Sequence, residues 1–420
     1  MTERPVWTRG ERVALRLYNT LSRMAEPFRP TGDEVRMYVC GVTPYDTTHL
    51  GHAFCYVVFD VLSRYLHFLG HRVRYIQNIT DIDNDILRHA RELGERWDEL
   101  GNRYVEVHQR SLDALGVERP ERYPRASEEI PTMVDMIQTL IERGHAYQAQ
   151  GNVYFRVASD PEFGKLSRLG PDQMADRLAE AGDSADDPRK EQPLDFLLWQ
   201  AAGPGEPSWP SPWEPGRPGW HIECSAMSIR YLGEALDIHG GGSDLVYPHH
   251  ECEIAQSESW SGRRPFVRFW MHVGMLRMDG QKMSKSLGNM VFVESLLTRH
   301  SAEAVRLYLL SVHYRGVLEY DEAALAAAER QVERLRYAAT LAAGPAAGSA
   351  TAPLVAAEHR ARFLSALDDD LDTPAAITAL RNLADAILGA RDRGQPVGPA
   401  QAELCELASI LGLRLDPPAS

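Results

Sequence analysis

The sequence predicts an α/β fold with a doubly wound sheet, because segments of strand type alternate with segments of helix type. Short apolar or alternating segments have the length of strands, near residues 36–42, 72–79 and 266–274. Longer apolar-periodic segments have the length of helices, near residues 50–69, 99–115 and 126–144. Such alternation favours parallel strands with helices packed on the faces of the sheet.

The remaining segments predict two further parts of the chain. Residues of about 145–215 are rich in glycine, proline and acidic clusters, which indicates an insertion between two halves of the sheet, partly in loops. Helices are expected near residues 301–312 and 321–342. An Ala/Gly/Ser/Pro linker at residues 343–353 then leads to a final helical region that ends near Leu413.

The composition is that of an ordinary soluble globular protein with room for two or three domains: 420 residues, 44% hydrophobic and 25% charged. There is no run of roughly 18 apolar residues and no basic-then-apolar N-terminus, so we expect neither a membrane span nor a signal peptide. Five cysteines do not form a disulfide framework, and a reduced, cytoplasmic setting is expected. With a net charge of −14, any contact with RNA must be a local arginine patch.

Lysine is rare in this chain, and half of its lysines lie in one short segment. The sequence contains 41 arginines and only four lysines. Lys282 and Lys285 belong to the segment Lys-Met-Ser-Lys-Ser, which has Gly280 and Gly288 on its two sides. An ammonium on a flexible stem is a mobile point charge that can follow a moving phosphate, unlike a planar guanidinium. The lysines therefore indicate a phosphate-binding loop that changes shape, rather than an exposed turn with incidental cations.

A second motif, His49-Leu50-Gly51-His52, lies at a predicted junction between a strand and a helix. Backbone N–H groups and the helix dipole bind phosphate at such a helix N-terminus. Gly51 permits a close approach of the ligand, and the imidazoles of His49 and His52 can donate to phosphate oxygens. A single match of this kind is weak, because a lone histidine is usually structural. Together with the lysine segment more than 200 residues downstream, it is specific.

With both motifs in this order, the chain resembles the class I aminoacyl-tRNA synthetases, whose signatures read HIGH and KMSKS. Further blocks between about residues 35 and 320 resemble the cysteinyl-tRNA synthetases in particular: Met37–Thr43, Asn78–Asp83, Gly219–Met227, Asp237–Asp244, Pro248–Glu251 and Glu253–Glu258. The resemblance implies a Rossmann-type catalytic domain at residues 1–300, a helical stem-contact region at 301–342 and a C-terminal helical bundle at 354–420.

The resemblance implies a zinc site made of Cys40, Cys224, His249 and Glu253. Taken singly, each has an ordinary explanation, since buried cysteines are usually inert and a His–Glu pair four residues apart usually lies on a helix surface. Two thiolates, an imidazole and a carboxylate suit a near-tetrahedral zinc ion. Such an ion would distinguish cysteine from serine, which a pocket selective by shape alone separates poorly.

The resemblance also assigns roles to the other candidate residues. Catalysis is expected of His49, His52, Lys282 and Lys285. ATP or the adenylate is expected to contact Gly41, Thr43, Gly51, Gly242, Ser243 and Asp244, of which Asp244 is a candidate ribose partner. Cysteine is expected to contact Thr80, Trp220 and His239. The implied cofactors are one Zn²⁺ per chain and ATP with Mg²⁺, and the implied partners are L-cysteine, ATP and tRNA, without a membrane.

The acceptor of the activated cysteine remains open at this stage. The mycothiol-pathway ligase, which joins cysteine to the amine of glucosaminyl-inositol, shares the catalytic core, and Pro44 resembles that ligase. Asn84-Asp85 departs from the Asp-Lys that is usual in the synthetases. The chain also stops at Ser420, where synthetases generally continue, and residues 343–420 carry a net charge of −4, so we expect a shortened C-terminal bundle. Glu253 favours tRNA as the acceptor, because the mycothiol ligase generally lacks it. A non-catalytic paralogue that acts as a binding module is a third alternative, disfavoured by the intact motifs.

Overall fold

The computed structural model describes residues 14–180, 182–283, 288–342 and 352–415. In chain order the strands are β1 (Arg16–Asn19), β2 (Met24–Pro27), β3 (Glu34–Val42), β4 (Arg72–Ile79), β5 (Ala146–Ala149), β6 (Asn152–Phe155), β7 (Phe196–Ala201), β8 (Gly216–Pro218), β9 (Leu236–Gly242), β10 (Val267–Val273), β11 (Leu276–Met278), β12 (Gln281–Lys282) and β13 (Leu318–Glu319). The helices are α1 (Leu50–Phe68), α2 (Asn84–Leu93), α3 (Trp97–Ala114), α4 (Ile130–Glu142), α5 (Pro171–Glu180), α6 (Trp220–Leu232), α7 (Glu251–Ser261), α8 (Val293–Leu297), α9 (Ala302–Leu309), α10 (Glu322–Thr340), α11 (Ala357–Asp368), α12 (Thr373–Asp392) and α13 (Gly398–Ile410).

The centre of the protein is a four-stranded parallel sheet in the order β10-β9-β3-β4. Side chains of β3 alternate between two hydrophobic cores, with Met37 and Val39 in one and Tyr38 and Cys40 in the other. Burial on both faces is typical of a parallel sheet covered by helices. The doubly wound α/β prediction is therefore confirmed.

One core joins the sheet to the C-terminal helices. In α1, 14 of 19 residues are buried, so this helix is enclosed on nearly all sides instead of presenting one apolar face. Its side chains share a core with buried residues of α9, α10, α11, α12 and α13. The predicted C-terminal helical region is confirmed, while residues 343–351 of the expected linker lie outside the described residues.

The other core contains α4, α6, α7 and the inserted segment. Residues of about 145–215 are partly loop, as we expected, but they also contain α5, β5, β6 and β7. The three strands form a four-stranded antiparallel sheet in chain order with β8, which follows directly. Apolar residues spaced along these short strands, such as Phe155, Phe196 and Trp199, are fully buried and hold the sheet against α4, α6 and α7.

The strand β9 was not predicted, because its glycines resemble a turn. Gly240 lies where β9 packs against α1: a Cβ atom there would come within 2.0 Å of the Phe59 ring. The glycine therefore allows the helix to approach the strand closely. Among the described residues, no helix is both long and apolar enough to cross a membrane.

Candidate active site and metal centre

The sheet brings the predicted cysteine-binding and metal-binding residues to the crevice between β3 and β9. Cys40 lies near the carboxyl end of β3, and His239 lies in β9 beside Tyr38 of β3. The strand order reverses here, because β4 flanks β3 on one side and β10 flanks β9 on the other. In doubly wound sheets, ligands bind outside the carboxyl ends of the strands at such a reversal.

The four predicted metal ligands converge at this crevice. Their ligand atoms lie within 4.8 Å of one another, and all four residues are buried. Cys40 Sγ lies 3.7 Å from Cys224 Sγ and 3.6 Å from Glu253 Oε1. His249 Nε2 lies 3.2 Å from Glu253 Oε1, so the pair spaced four residues apart does share a face. Ligands bound at about 2.0–2.3 Å to a tetrahedral zinc ion lie about 3.3–3.8 Å apart, and these three distances fit that spacing to within about 0.1 Å.

The donor chemistry fits zinc as well. Glu253 is fully buried, and its Oε2 atom has no hydrogen-bond partner among the described residues. A buried carboxylate oxygen without a partner costs free energy that a bound cation would recover. Two thiols, one imidazole and one carboxylate form a donor set that favours zinc, whereas Mg²⁺ and Ca²⁺ favour oxygen donors.

Three further imidazoles at this centre were not predicted. His221 Nδ1 lies 3.0 Å from His249 Nδ1, which orients the His249 ring with its Nε2 towards Glu253. His250 Nδ1 lies 2.7 Å from His272 Nε2. His250 and His239, with Cys40 and Glu253, form a second group of four that could hold a metal ion. His272 had no sequence signal, because it belongs to β10 and only the sheet order brings it here.

Burial controls the ionisation of this centre. It raises the pKa of the Cys40 thiol and of the Glu253 carboxyl well above their ordinary values. It lowers the pKa of His239 to about 3 and the pKa of His249 well below its ordinary value. At neutral pH the imidazoles are therefore neutral, as metal ligands must be, and a bound cation would displace the protons of the thiol and the carboxyl.

The residues predicted to contact cysteine surround the metal ligands. Thr80 is buried and its hydroxyl oxygen accepts a hydrogen bond from Asn78 Nδ2 at 3.1 Å. Trp220 begins α6, and its ring centroid lies 4.3 Å from that of His249. His239 Nε2 lies 3.5 Å from Cys40 Sγ. The structure thus brings Thr80, Trp220 and His239 to one place.

The first signature motif forms the N-terminus of α1. His49 is the N-cap residue, and its Nδ1 accepts a hydrogen bond from the backbone N–H of His52 at 3.3 Å. The two rings stack with centroids 3.6 Å apart. A Cβ atom at Gly51 would lie only 3.0 Å from the His49 ring, so the glycine permits this stacking.

The chain that follows the second motif pairs with the first motif. The backbone N–H of Leu50 donates to the Val291 carbonyl at 2.8 Å, and that of Val293 donates to the Thr48 carbonyl at 3.1 Å. These bonds place residues 291–293, a few residues after the lysine segment, beside the N-terminus of α1. The side chain of Lys282 and the whole of Lys285 lie outside the described residues.

The remaining nucleotide candidates lie at the ends of two neighbouring strands. Gly41 belongs to β3 and Thr43 follows it, while Gly242 ends β9 and is followed by a 3-10 turn, Ser243–Leu245. A Cβ atom at Gly242 would lie 2.5 Å from Asp244 Oδ1, so a larger residue there would displace the Asp244 carboxylate. These residues therefore border the same crevice as the metal ligands.

Two buried polar residues beside the candidates had no predicted role. His108 of α3 contacts Thr48 Oγ1 through Nδ1 at 2.9 Å, and its ring lies 6.5 Å from that of His52. Glu223 of α6 precedes Cys224, and burial raises the pKa of its carboxyl well above the ordinary value. Glu223 belongs to a block quoted for its resemblance, but nothing in the sequence indicated what its carboxylate contacts.

Two known families match the chain. Residues 27–330 match the family described as "tRNA synthetases class I (C) catalytic domain", and residues 362–416 match the DALR domain. The cysteine--tRNA ligase of Dehalococcoides mccartyi is 47% identical over 403 residues, which are 96% of this chain and 86% of that protein. The cysteine--tRNA ligase of Halorhodospira halophila is 49% identical over 410 residues, which are 96% of this chain and 87% of that protein.

Solved structures show the same fold in more distant proteins. The methionyl-tRNA synthetase of Mycobacterium tuberculosis, in complex with methionyl-adenylate, has a TM-score of 0.64 at 15% sequence identity and covers 90% of this chain and 89% of its own. At this identity the likeness concerns the fold alone. The family match and the two relatives show the family as well as the fold: the chain belongs to the cysteinyl-tRNA synthetase family of class I aminoacyl-tRNA synthetases.

Proposed function

We infer that this chain is a cysteine--tRNA ligase, which activates L-cysteine with ATP and transfers it to tRNA. The observation that carries this inference is the buried group of Cys40, Cys224, His249 and Glu253 in a chain whose relatives of that name are 46–49% identical over 96% of its length. The amine acceptor considered above has no support among these relatives.

The four buried side chains are proposed to hold one Zn²⁺. When bound, the ion supplies a soft Lewis acid that takes the thiolate of cysteine and leaves the hydroxyl of serine, a far weaker ligand. The protein contributes a site closed to water, because Cys40, Cys224, His249 and Glu253 are at most 6% exposed. The contact of His221 with His249 fixes the orientation of one donor.

Activation is proposed to depend on positioning rather than on a protein nucleophile. The cysteine carboxylate attacks the α-phosphate of ATP in line, and pyrophosphate leaves. Thr80, Trp220 and His239 would hold cysteine at the carboxyl end of β3. His49 and His52 at the N-terminus of α1 would face the phosphates of Mg²⁺-bound ATP, together with Lys282 and Lys285.

We also propose a separate role for each of three parts of the chain. Residues 1–300 form the catalytic domain, residues 301–342 contact the acceptor stem of tRNA, and residues 354–420 form the C-terminal bundle. The shared core of α1 and the C-terminal helices supports a fixed arrangement of these parts. A cytoplasmic location follows from the use of tRNA as a substrate.

Acceptor choice tests the proposal directly. Purified zinc-loaded protein is given ATP and labelled cysteine, with either tRNA or glucosaminyl-inositol. We expect charged tRNA and no amide on the amino sugar. Serine serves as the control amino acid, and it should support neither pyrophosphate exchange nor charging. Amide formation without tRNA charging would assign the protein to the amine-acceptor ligases instead.

A further inference from the structure

The buried imidazole of His108 holds the residue that precedes the first signature motif. His108 belongs to α3 and is 2% exposed, and its Nδ1 lies 2.9 Å from the hydroxyl oxygen of Thr48, which is 1% exposed. Its Nε2 has no hydrogen-bond partner among the described residues. Because a buried N–H without a partner is rarer than a buried acceptor without one, we place the proton on Nδ1, which donates to Thr48 Oγ1. The bond to Thr48 is therefore the polar contact that fixes this ring.

Thr48 lies where the first motif meets the chain that follows the second. It precedes His49, the N-cap residue of α1, and its backbone carbonyl accepts a hydrogen bond from the N–H of Val293. The N–H of Leu50 donates to the carbonyl of Val291. These backbone bonds attach the motif to a chain segment that leads out of the lysine loop, which the sequence predicts to change shape. A second attachment, independent of that loop, is needed to keep the motif in place when the loop moves.

The helix α3 provides that second attachment. Val105, His108 and Leu112 share one face of α3, since they are spaced three and four residues apart. Val105 and Leu112 belong to the hydrophobic core that also contains the buried side chains of α1. The His108 ring packs edge-on against Tyr56 of α1, with centroids 5.4 Å apart. His108 therefore connects Thr48 to the packed core and not to the lysine loop.

We propose that His108 is a positioning residue for adenylate formation, which acts through Thr48 on the two imidazoles of the first signature motif. This rests on the proposed function and deepens it. His49 has an extended backbone, with φ −85° and ψ 163°, and its Nδ1 accepts from the N–H of His52. Thr48 sets the start of this turn. A displacement of about 1 Å in a positioned group can lower a rate about 100-fold.

The test removes the hydroxyl of Thr48 and keeps the size of its side chain. Thr48→Val loses the bond to His108, and Thr48→Ser retains the hydroxyl. Single-turnover formation of cysteinyl-adenylate is measured on zinc-loaded protein with saturating ATP and cysteine. We expect Thr48→Val to be about 10- to 100-fold slower and Thr48→Ser to lie within about threefold of the parent. The Kd of cysteine, measured by calorimetry without ATP, should change less than about twofold in both, because the motif faces the phosphates.

The insertion offers a matched control for the lost bond. His145 Nδ1 lies 2.9 Å from Ser159 Oγ, so Ser159→Ala removes a bond of the same kind and length away from both motifs. It should leave adenylate formation unchanged, and melting temperatures of all variants show how far each change acts on stability. A double variant of Thr48→Val and His108→Phe should be no slower than the slower single variant, because both changes remove the same bond.

The outcomes separate a positioning role from a structural one. Thr48→Val as fast as the parent, Thr48→Ser as slow as Thr48→Val, or additive losses in the double variant would overturn the proposal. If Thr48→Val does not fold, His108→Asn, which keeps an amide donor near the place of Nδ1, should be faster than His108→Phe, and equal rates would overturn it. A parent that forms no adenylate would contradict the proposed function as well. An active parent with unaffected variants would contradict the role of His108 alone.

Discussion

At the scale of single residues, replacing the thiol of Cys224 tests whether the metal is needed for cysteine activation. Cys224→Ser removes one soft donor from a buried set of four and adds a hydroxyl that binds zinc weakly. We expect the variant to lose its zinc and its cysteine-dependent pyrophosphate exchange together, while the parent carries about one zinc per chain. Metal analysis and exchange assays measure both. Full exchange activity in a metal-free preparation would contradict the role of the metal.

The lysine segment gives a prediction from the sequence alone. Lys285→Ala should slow adenylate formation by about 10²–10³-fold, the usual effect of one lost preorganised donor, and leave cysteine binding nearly unchanged. Lys285→Arg should restore the rate only in part, because a rigid fork replaces a mobile point charge. Single-turnover kinetics measure the step. An arginine variant as fast as the parent would contradict the inference that this position needs the mobile charge of a lysine.

His108, beside the first signature motif, makes stability depend on pH. Burial lowers its pKa to about 4, with the charge of His49 as a lesser cause, whereas an unfolded histidine titrates near 6.5. Between these values only the unfolded chain binds the proton, so the free energy of unfolding falls as the pH falls, by up to about 3 kcal/mol. His108→Phe should make this fall shallower in urea titrations. Measurement at pH 7.5, where the imidazole is neutral in both states, isolates the change in packing.

At the scale of elements, the close packing of α1 on β9 depends on Gly240. Gly240→Ala places a Cβ atom 2.0 Å from the Phe59 ring, so the helix must move away from the strand. We expect a loss of about 1–3 kcal/mol in the free energy of unfolding, with a fall in activity because α1 carries His49 and His52.

The partner residue gives the control for Gly240. Adding Phe59→Leu should recover part of the lost stability, because the three atoms nearest to the added Cβ all belong to that ring. Gly101→Ala in α3, where a Cβ atom meets nothing within 4 Å, should instead stabilise the protein by about 0.5–1 kcal/mol. Equal effects of the two glycine substitutions would show that packing between α1 and β9 is not the cause.

At the scale of the whole molecule, one buried arginine joins three parts of the chain. Arg306 of α9 is fully buried, pairs with Asp60 of α1 and donates to the backbone carbonyls of Leu115 and Leu411. Without the Arg306 guanidinium, the buried Asp60 carboxylate loses a cationic partner. Arg306→Met should therefore cost about 3–5 kcal/mol.

An exposed ion pair provides the comparison for Arg306. Arg334 and Asp385 lie 2.7 Å apart with side chains about half exposed, and Arg334→Met should cost less than about 1 kcal/mol. Urea unfolding of zinc-loaded protein measures both variants. Similar costs at the two sites would mean that the catalytic core and the C-terminal helices are held together by apolar packing alone.

The sequence by itself determined the α/β class, the two signature motifs and the four proposed metal ligands. The first two features are local, because a motif has fixed spacing and strands and helices differ in apolar period. The ligand set of Cys40, Cys224, His249 and Glu253 came from the resemblance to the cysteinyl-tRNA synthetases, since each residue taken singly has an ordinary explanation. The spacing of His249 and Glu253 also predicted their contact, because residues four apart on a helix share a face.

Only the tertiary structure decided which other groups surround those ligands. His272 and His250 meet because β10 and β9 are neighbours. The glycines of β9 lie in a strand because they pair with β10 and β3, and Gly240 leaves space there for the Phe59 ring. The burial of Glu223 and the lack of hydrogen-bond partners at its two oxygens are likewise visible only in the folded chain. Such features depend on contacts between residues far apart in the chain, and no local pattern records them.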